Sequence, residues 1–436
     1  MLTHHKRGKI ALISVHGDPA AEIGKEEAGG QNVYVRNVGE ALARQGWQVD
    51  MFTRQSDPEQ EKIIEHAPGC RTIRLPAGPA EFIDRDRLYP YLPEFVESFL
   101  EFQNRTRTIY PLIHSNYWLS GWVGLQLRRR QLSKLVHTYH SLGAVKYKSV
   151  SAIPIVATTR LNVEKTCLET ADRIVATSPQ EKAHMRALVS PHGNIEIIPC
   201  GTDIHHFGSI DRARGREFLG LDPDIPVILY VGRFDPRKGI ETLVRAVDRS
   251  SARRSGNFQL IIGGGSRPGQ SDGKERERIE SIVRELGLAD NIRFPGRLDP
   301  ATLPYYYAAA DVCAVPSHYE PFGLVAIEAM ACRTPVIASD VGGLQYTVVD
   351  GETGRLVPAK DEEKFAEAID EIVLNPGRRE EMGENARSRV VDRFSWDAVA
   401  TRLDALYTSQ IRKLYREFFF AREAGIAETL ESAKIS

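Results

Sequence analysis

Short apolar runs alternate with longer amphipathic segments along the whole chain. Each apolar run has the length of one buried strand, and the segments between the runs carry the spacing of helices that pack against a sheet. This alternation is typical of parallel strands that are joined by helical crossovers. The sequence therefore predicts an α/β fold.

The predicted strands form two separate series. Those of the first series are predicted at 10–15, 49–53, 72–75, 112–114, 135–138, 173–177 and 195–198. Those of the second are predicted at 227–231, 259–262, 292–294, 312–315 and 336–338. Because a chain of 436 residues exceeds what one hydrophobic core supports, two Rossmann-like domains are expected, at 1–207 and 208–394. Apolar periodicity lapses from 204 to 226, where glycines and prolines interrupt the chain, so a linker is predicted there.

The last segment, 395–436, has the apolar pattern of one or two long helices. Trp396, Leu403 and Leu414 are among the residues that recur on one predicted face. We expect these helices to pack back on the first domain, although the apolar end at 418–420 also allows an oligomer contact. Monomer and homodimer both stay open.

Charge and cysteine content exclude several classes of protein. The chain carries 57 basic and 58 acidic residues, and its net charge of -1 provides no overall field for nucleic acid or an anionic membrane. Five cysteines without a CxxC pair argue against a disulfide framework and against a zinc site. No apolar stretch has the length of a membrane span, and the first apolar run is too short for a signal peptide, so a cytoplasmic location is expected.

A cationic turn follows the first strand of the second series. Residues 232–239 bring Arg233, Arg237 and Lys238 to the carboxyl end of that strand, where open parallel sheets bind ligands. Guanidinium and ammonium groups suit diphosphate oxygens, and both can stabilise the charge that develops as a sugar leaves a diphosphate. The turn is therefore a candidate diphosphate site, although by itself it can equally be a solvated basic loop.

Two glutamates follow the predicted strand at 312–315. Glu320 lies on the loop, and Glu328 lies further along in the next predicted helix. A loop carboxylate can accept hydrogen bonds from sugar hydroxyls, and a helix carboxylate can accept from both ribose hydroxyls. The amides at the start of this helix can meet phosphate oxygens. Either glutamate alone is as well explained by a solvated or ion-paired side chain.

The stretches GRFDPRKG and EPFGLVAIEAMACRTPVIASDVGG resemble the signature of retaining GT-B glycosyltransferases of the sucrose-phosphate-synthase-like group. The resemblance covers nearly the whole second half. It implies two Rossmann-like domains that face each other across a cleft, with a C-terminal helix crossing back to the first. It also implies a UDP-sugar donor, held by Arg233 and Lys238 at the diphosphate and by Glu328 at the ribose. The implied hexose contacts are Glu320 and the amides of Phe322, Gly323 and Leu324.

A glycine-rich loop, GKEEAGGQ at 24–31, follows the first predicted strand. Its spacing differs from the GxGxxG fingerprint of dinucleotide-binding proteins. Its backbone amides can approach an anionic or sugar ligand closely, although the glycines can also serve only the turn. AGGQNVYV resembles the group's loop between donor phosphate and acceptor, which implies acceptor contacts by Gly29, Gly30 and Gln31 and a donor contact by Gly30.

Polar side chains also follow two later strands of the first series. Tyr117 lies in HSNYW and is a predicted acceptor contact, while His137 and His140 lie in HTYHSLG. A histidine at such a position is often only a partner of the backbone, but the resemblance places His140 beside the reacting sugar carbon. The cations that can gather around an acceptor phosphate are Arg85, Lys146, Lys148 and Arg160. Lys146 and Arg160 are favoured, because HSLGAVK resembles a stretch of sucrose-phosphate synthases.

The acceptor side resembles two groups of enzymes. GDPAAEIGKEEAGGQ, VDMFTRQ and HSLG are similar to stretches of sucrose-phosphate synthases, apart from Ala28, where threonine is usual. HSNYWLSG and AGGQNVYV are also similar to the enzymes that join N-acetylglucosamine to inositol phosphate. Transfer of glucose from UDP-glucose to fructose 6-phosphate is the favoured expectation. The alternatives are transfer to inositol phosphate, a UDP-sugar epimerase or hydrolase, and a non-catalytic sugar-phosphate-binding protein.

The candidate residues include no obvious nucleophile for the anomeric carbon. We therefore expect a front-side displacement in which the departing diphosphate oxygen takes the acceptor's proton. The predicted catalytic residues are Arg233, Lys238, Glu320 and His140. Because cations and a helix terminus can replace a divalent ion, no metal cofactor is expected, and an added ion would at most stimulate. Asp84 and Asp86 have the spacing of a metal motif, but they lie in a charged loop far along the chain from the donor residues.

Overall fold

The computed structural model describes residues 7–21, 29–147, 153–256 and 258–423. The chain divides into two compact units. The first comprises Met1–Thr177, Glu181–Ile198 and Val399–Ser436, and the second comprises Ser178–Gln180 and Pro199–Ala398. The division thus falls at 198/199, whereas the sequence placed it at 207/208.

The first unit is built on one sheet. Its strands in the described residues are β1 (Lys9–Ile13), β2 (Gln48–Arg54), β3 (Ile63–Ala67), β4 (Cys70–Leu75), β5 (Leu112–Asn116), β6 (Lys134–Thr138), β7 (Arg173–Ala176) and β8 (Ile195–Ile197). They lie in the order β3-β4-β2-β1-β5-β6-β7-β8. Every pair is parallel except β3 with β4. The loops after β1, β5 and β6 are therefore neighbours at one edge of the sheet.

Helices connect these strands. They are α1 (Gly30–Arg44), α2 (Leu92–Thr106), α3 (Tyr117–Arg130), α4 (Gly143–Lys146), α5 (Ala157–Thr170) and α6 (Pro179–Leu188). Helix α2 begins with a proline in its first turn and buries Phe95, Phe99 and Phe102 on one face. The rings of Phe99 and Phe102 pack against Phe52 of β2, with centroids 4.6 and 5.5 Å away. This aromatic cluster anchors α2 to the sheet.

The second unit holds a smaller parallel sheet. Its strands are β9 (Val227–Val231), β10 (Gln259–Gly263), β11 (Ile292–Gly296), β12 (Val312–Val315), β13 (Val336–Ser339) and β14 (Gly354–Val357). Their order is β11-β10-β9-β12-β13-β14. The strand order reverses between β9 and β12, and ligands of open α/β sheets bind outside the carboxyl ends of the strands at such a point.

Eleven further α-helices lie in the described residues after β8. They are α7 (Ile204–Phe207), α8 (Arg212–Leu219), α9 (Ile240–Arg249), α10 (Ser251–Ser255), α11 (Ser271–Glu285), α12 (Leu303–Ala309), α13 (Leu324–Ala331), α14 (Leu344–Thr347), α15 (Glu362–Val373), α16 (Pro376–Arg393) and α17 (Trp396–Glu423). None of the helices in this part of the chain is long and apolar enough to cross a bilayer.

The α/β fold predicted from the alternation of apolar runs is confirmed. Every predicted strand is present, with ends that shift by a few residues at most. Two strands were missed. β3 is an edge strand with a half-exposed sequence, Ile-Ile-Glu-His-Ala, that lacks a buried run. β14 has the short sequence Gly-Arg-Leu-Val, which contains an arginine and no continuous apolar run.

The linker predicted at 204–226 is wrong. This polar segment folds into α7 and α8, and both helices belong to the second unit. Asp203 caps α7 and Asp211 caps α8, because each side chain accepts hydrogen bonds from backbone amides of the first turn. Apolar periodicity is absent from this part of the sequence because both helices are short and α8 is rich in charged residues.

The last helix packs on the first unit, as the sequence predicted. The Trp47 indole donates a hydrogen bond of 2.8 Å to Asp404 of α17. The Tyr407 hydroxyl contacts the imidazole Nδ1 of His114, at the middle of β5. His114 therefore ties α17 to the sheet, and its other ring nitrogen contacts Thr138 at 2.8 Å.

Asp311 holds together the start of two strands in the second unit. Only 1% of its side chain is exposed, and its carboxylate pairs with Arg212, Arg216 and Arg379 at 2.9, 2.7 and 2.8 Å. It also accepts a hydrogen bond of 2.8 Å from the amide of Val227, which begins β9. One buried carboxylate therefore compensates three guanidinium groups.

We expect Asp311→Asn to lower the free energy of unfolding by about 3–5 kcal/mol, because it leaves the buried guanidinium of Arg216 without its counter-ion. Urea and thermal unfolding curves would measure the loss. Glu384→Gln is the matched control, since Glu384 pairs with Arg333 at the surface. That change should cost less than about 1 kcal/mol. Equal effects of the two substitutions would contradict the role of Asp311.

Candidate functional site

The turn after β9 contains three cations, and one of them is paired within the turn itself. Arg237 donates two hydrogen bonds to Asp235, of 3.1 and 2.6 Å. These bonds are the main reason that the pKa of the Asp235 carboxyl falls to about 2. Arg237 is thus engaged locally, whereas the Arg233 side chain is exposed. The turn therefore presents Arg233 and Lys238 as its candidate ligands for an anion.

Lys238 pairs with a residue of the loop after β12. Its ammonium lies 2.6 Å from the carboxylate of Glu320, and the two side chains are 25% and 16% exposed. The backbones also meet, because the amide of His318 donates to the carbonyl of Arg237 at 2.7 Å. A Cβ at position 239 would lie 2.0 Å from the carbonyl oxygen of Pro316, so only glycine fits there. The structure thus joins two predicted donor residues that are far apart in the sequence.

Helix α13 starts at the same place. Gly323, with φ of +94°, precedes it, and the ring of Phe322 is buried. The amide of Gly343 donates to the carbonyl of Glu320 at 2.9 Å, and a Cβ at Gly343 would lie 2.4 Å from the Cα of Phe322. The first amides of a helix have no acceptor within the helix, so those at the start of α13, including Leu324, are suited to an anion.

Glu328 lies on α13 and accepts a hydrogen bond of 2.8 Å from the hydroxyl of Tyr307. Burial raises the pKa of the Glu328 carboxyl to about 7. A carboxyl of this kind changes its charge near neutral pH. Tyr307, on α12, is a residue that the sequence analysis missed, because its packing against α13 has no local signal.

In the first unit, the start of α1 is anchored by polar side chains. Gln31 donates a hydrogen bond of 2.9 Å to Ser14, in the loop after β1. Asn32 donates one of 2.9 Å to the carbonyl of Asp18. Gly29 and Gly30 are exposed at the start of the helix. The rest of the predicted glycine-rich loop, 24–28, lies outside the described residues.

His140 follows β6 in a left-handed backbone conformation, with φ of +57°. Its Nε2 lies 2.9 Å from the side-chain oxygen of Asn116, and its ring packs edge-on against Tyr34 at 4.8 Å. Burial lowers the pKa of the imidazole to about 3. His140 is therefore neutral at ordinary pH. Such strained positions in non-glycine residues often occur at functional sites.

Arg160 is fully buried, and it joins the turn after β6 to the start of α3. It donates hydrogen bonds to Glu164 at 2.7 Å, to the carbonyl of Ser141 at 2.7 Å and to the hydroxyl of Tyr117 at 3.1 Å. Its guanidinium also lies 5.0 Å from the centroid of the Tyr117 ring. Tyr117, like His140, has a positive φ, of +74°. A direct contact of Arg160 with an acceptor stays a prediction.

Two more predicted cations belong to this neighbourhood. The charges of Arg85 and Arg160 both act on Lys146, although burial is the main reason that the pKa of its ammonium is lowered. Asp84 accepts a hydrogen bond from the amide of Asp86, so it serves as a cap in this loop. Lys148, which the sequence analysis also considered, lies outside the described residues. The structure thus places Arg160 in contact with Tyr117, and the charges of Arg85 and Arg160 both reach Lys146.

His137 and His16 complete this part of the first unit. His137 is buried on β6, and its Nδ1 lies 2.9 Å from the hydroxyl of Ser115. His16 follows β1, and its ring lies 4.6 Å from that of Tyr117. His16 was missed in the sequence, although its place just after a strand would have been a signal. No cluster of three or more His, Cys, Asp or Glu side chains in the described ranges could hold a metal ion.

Two family models match the chain. "Glycosyl transferase 4-like domain" matches residues 29–201, and "Glycosyl transferases group 1" matches residues 211–389. The two matches cover both units and contain most of the candidate residues. The chain belongs to the group 1 glycosyltransferases. It is therefore an enzyme of the glycosyltransferase class with the GT-B fold, as the sequence resemblance implied.

This glycosyltransferase is similar to curated proteins and solved structures over nearly its whole length. It is 38% identical to the D-inositol 3-phosphate glycosyltransferase of Actinosynnema mirum, over 95% of this chain and 100% of that protein. The one from Corynebacterium jeikeium is 39% identical, over 92% of this chain and 96% of that protein. The solved structure of sucrose-phosphate synthase from Thermosynechococcus elongatus is 53% identical, with a TM-score of 0.78, over 94% of this chain and 100% of that chain.

A third solved structure shows the shared fold. HepE of Anabaena, in complex with UDP and glucose, has a TM-score of 0.68 and 21% identity, over 92% of this chain and 99% of that chain. The resemblance to sucrose-phosphate-synthase-like enzymes is thus confirmed at the level of family and fold. The comparisons thus give two kinds of relative, D-inositol 3-phosphate glycosyltransferases and a sucrose-phosphate synthase.

The ionisation of Glu328 should control donor affinity near neutral pH. We expect the Kd of UDP-glucose to fall about tenfold between pH 6 and pH 8, because the ionised fraction of a group with a pKa near 7 rises by about that factor. The ionised carboxylate can accept from both ribose hydroxyls, whereas the protonated form cannot.

Calorimetric titrations with UDP-glucose at several pH values would measure this change. UDP-glucose is preferred to UDP, because its diphosphate does not titrate in this range. Glu328→Gln should bind more weakly and should lose the pH dependence. A slope that persists in the Gln variant would assign the titration to another group.

Proposed function

We propose that this glycosyltransferase transfers glucose from UDP-glucose to fructose 6-phosphate, with retention of the anomeric configuration, to give sucrose 6-phosphate and UDP. The pairing of Lys238 with Glu320 beside the start of α13 is the main support for the proposed donor. In this scheme Arg233 and Lys238 hold the diphosphate. Glu328 holds the ribose, and Glu320 holds hydroxyls of the hexose.

The charges in the first unit support a phosphorylated acceptor. The charges of Arg85 and Arg160 both act on Lys146. Arg160 also donates a hydrogen bond to the hydroxyl of Tyr117. Since guanidinium, ammonium and hydroxyl groups are the usual partners of phosphate oxygens, we assign this group to the phosphate of the acceptor. Gly29, Gly30 and Gln31, at the start of α1, are the further proposed acceptor contacts.

The choice between two acceptors follows the comparisons. The sucrose-phosphate synthase is 53% identical to this chain, and the inositol phosphate enzymes are 38–39% identical. The higher identity favours fructose 6-phosphate. Transfer of N-acetylglucosamine to inositol phosphate is the second candidate, because eight curated relatives of that type match over 92% of the chain or more.

The proposed chemistry is a front-side displacement. The bond between the anomeric carbon and the β-phosphate oxygen breaks, and the acceptor hydroxyl oxygen forms the new bond to that carbon. The departing phosphate oxygen takes the proton of this hydroxyl. Negative charge therefore grows on the diphosphate in the transition state, where Arg233 and Lys238 act most strongly.

His140 has a different part in this scheme. With a pKa of about 3, its imidazole is a weak base at neutral pH. His140 is therefore not the group that takes the proton from the acceptor hydroxyl. The departing diphosphate oxygen is the stronger base for that step. We assign His140 a hydrogen-bonding contact with the transferred hexose, in an orientation that Asn116 fixes at 2.9 Å.

The scheme requires no metal ion, because Arg233, Lys238 and the amides of α13 supply the positive charge that a divalent ion provides in other transferases. Cytoplasmic substrates, a nucleotide sugar and a sugar phosphate, are the partners that it implies. Activity that is abolished by chelation and restored by Mn²⁺ would contradict this part of the proposal.

Lys238→Ala should lower kcat on the order of 100-fold, with a smaller effect on the Kd of the donor, because its charge acts mainly in the transition state. Steady-state rates and donor titrations would separate the two effects. Arg237→Ala is the matched control, since Arg237 is paired with Asp235 in the same turn. The control should stay within about threefold of the parent. Parental activity of Lys238→Ala would remove Lys238 from the mechanism.

A UDP-release assay with a panel of acceptors tests the proposed reaction. We expect fructose 6-phosphate to give at least a tenfold higher rate than fructose or inositol phosphate with UDP-glucose, because the cation group needs a phosphate and the overall similarity favours a hexose. A preference for inositol phosphate with UDP-N-acetylglucosamine would favour the second candidate. Conversion of UDP-glucose without any acceptor would indicate an epimerase or a hydrolase.

A further inference from the structure

The carboxylate of Glu328 is engaged by a single hydrogen bond within the part of the chain that the structure describes. The hydroxyl of Tyr307 donates to its Oε2 at 2.8 Å. Glu328 is half-buried, and an ionised carboxylate has about four acceptor sites on its two oxygens. The side chain therefore keeps acceptor sites for a ligand while one of its oxygens is held by the protein.

Tyr307 is itself fixed by packing. Its side chain is fully buried, and its ring lies edge-on to that of Phe207, with centroids 5.8 Å apart. Its backbone carbonyl accepts a hydrogen bond of 2.6 Å from the hydroxyl of Thr334, just before β13. The direction of the Tyr307 hydroxyl is thus set by the core of the second unit. A carboxylate oxygen that this hydroxyl holds is fixed in turn.

The charge of Glu328 depends on the same hydroxyl. Burial raises the pKa of the Glu328 carboxyl to about 7, and the hydrogen bond from Tyr307 acts in the opposite direction. Burial and the charge of Glu328 raise the pKa of the Tyr307 hydroxyl far above its usual value, so this group remains a donor. The thiols of Cys313 and Cys332 also lie near Glu328, and burial raises the pKa of both, so they stay uncharged.

We propose that Tyr307 is a positioning residue for donor binding, whose hydroxyl holds the Glu328 carboxylate in the orientation that accepts from both ribose hydroxyls. Tyr307 does not contact the donor in this scheme. A fixed acceptor distinguishes ribose from deoxyribose better than a mobile one, because hydrogen bonds weaken steeply when their geometry is poor. The inference rests on the proposed function, because it requires that Glu328 binds the ribose.

Tyr307→Phe tests the inference, because it keeps the ring and removes only the hydroxyl. Calorimetry would give the Kd of UDP-glucose and of its 2′-deoxyribose analogue at pH 8.5. We expect the parent to bind UDP-glucose about tenfold more tightly than the analogue, which is the effect of one lost hydrogen bond to a charged group. In Tyr307→Phe this preference should fall to about threefold, because the carboxylate is no longer held in one orientation.

Titrations at pH 6 provide a second measurement. The Tyr307 hydroxyl stabilises the ionised carboxylate, so its removal should raise the pKa of Glu328 from about 7 to about 8. The Kd of UDP-glucose in Tyr307→Phe should therefore exceed that of the parent about thirtyfold at pH 6 but only about fourfold at pH 8.5. Loss of a packing contact alone would change the Kd by the same factor at both pH values.

Tyr305→Phe is the matched control. Tyr305 lies on the same helix, its ring stacks on that of Phe218 with centroids 4.1 Å apart, and its hydroxyl makes no hydrogen bond to Glu328. This change should leave the Kd of UDP-glucose within twofold of the parent at both pH values. Urea unfolding curves of all variants would show that each one is folded.

An unchanged ribose preference in folded Tyr307→Phe would overturn the inference, and so would an equal loss of affinity at pH 6 and pH 8.5. Glu328→Gln distinguishes this failure from a failure of the proposed function. A weaker Kd in Glu328→Gln, together with parental binding by Tyr307→Phe, would keep the donor assignment and exclude Tyr307. A parental Kd in Glu328→Gln would remove Glu328 from the proposed donor site and overturn the inference with it.

Discussion

The candidate donor site depends on close backbone contact between loops that follow neighbouring parallel strands. A side chain at Gly239 would collide with the carbonyl of Pro316, and one at Gly343 would collide with the Cα of Phe322. At Gly239 the loop after β9 contacts the loop after β12, and at Gly343 the loop after β13 contacts the loop after β12. The positions of Lys238, Glu320 and the start of α13 follow from that contact. The site is thus fixed by the backbone before any ligand binds.

Charge pairing then determines which side chains remain available for an anion. Asp235 engages Arg237 within its own turn, and Glu320 engages Lys238 from the next loop. The second pair differs from the first because it connects a residue assigned to the diphosphate with one assigned to the hexose. Arg233 is exposed beside them. Three cations that look alike in the sequence therefore differ in the structure: Arg237 is paired within its own turn, Lys238 is paired with the next loop, and Arg233 is exposed.

In the second unit two of these cations are paired with carboxylates. In the first unit neutral imidazoles lie near cations. His16 and His140 have pKa values lowered to about 3, mainly by burial. Arg160, which is fully buried, is compensated by Glu164 and contacts Tyr117. Neutral donors and acceptors suit hydroxyl groups, and cations suit phosphate. The first unit therefore offers groups suited to hydroxyls and a group suited to phosphate.

The sequence by itself determined the α/β class, because alternating apolar runs record which segments are buried on both faces of a sheet. It also determined the candidate donor residues, since Arg233, Lys238, Glu320 and Glu328 all follow predicted strands. It could not find Tyr307, because its hydrogen bond to Glu328 depends on the packing of α12 against α13. Only the tertiary structure decided which charges pair and which carboxyl is buried, because pairing and burial depend on the packing of neighbouring loops.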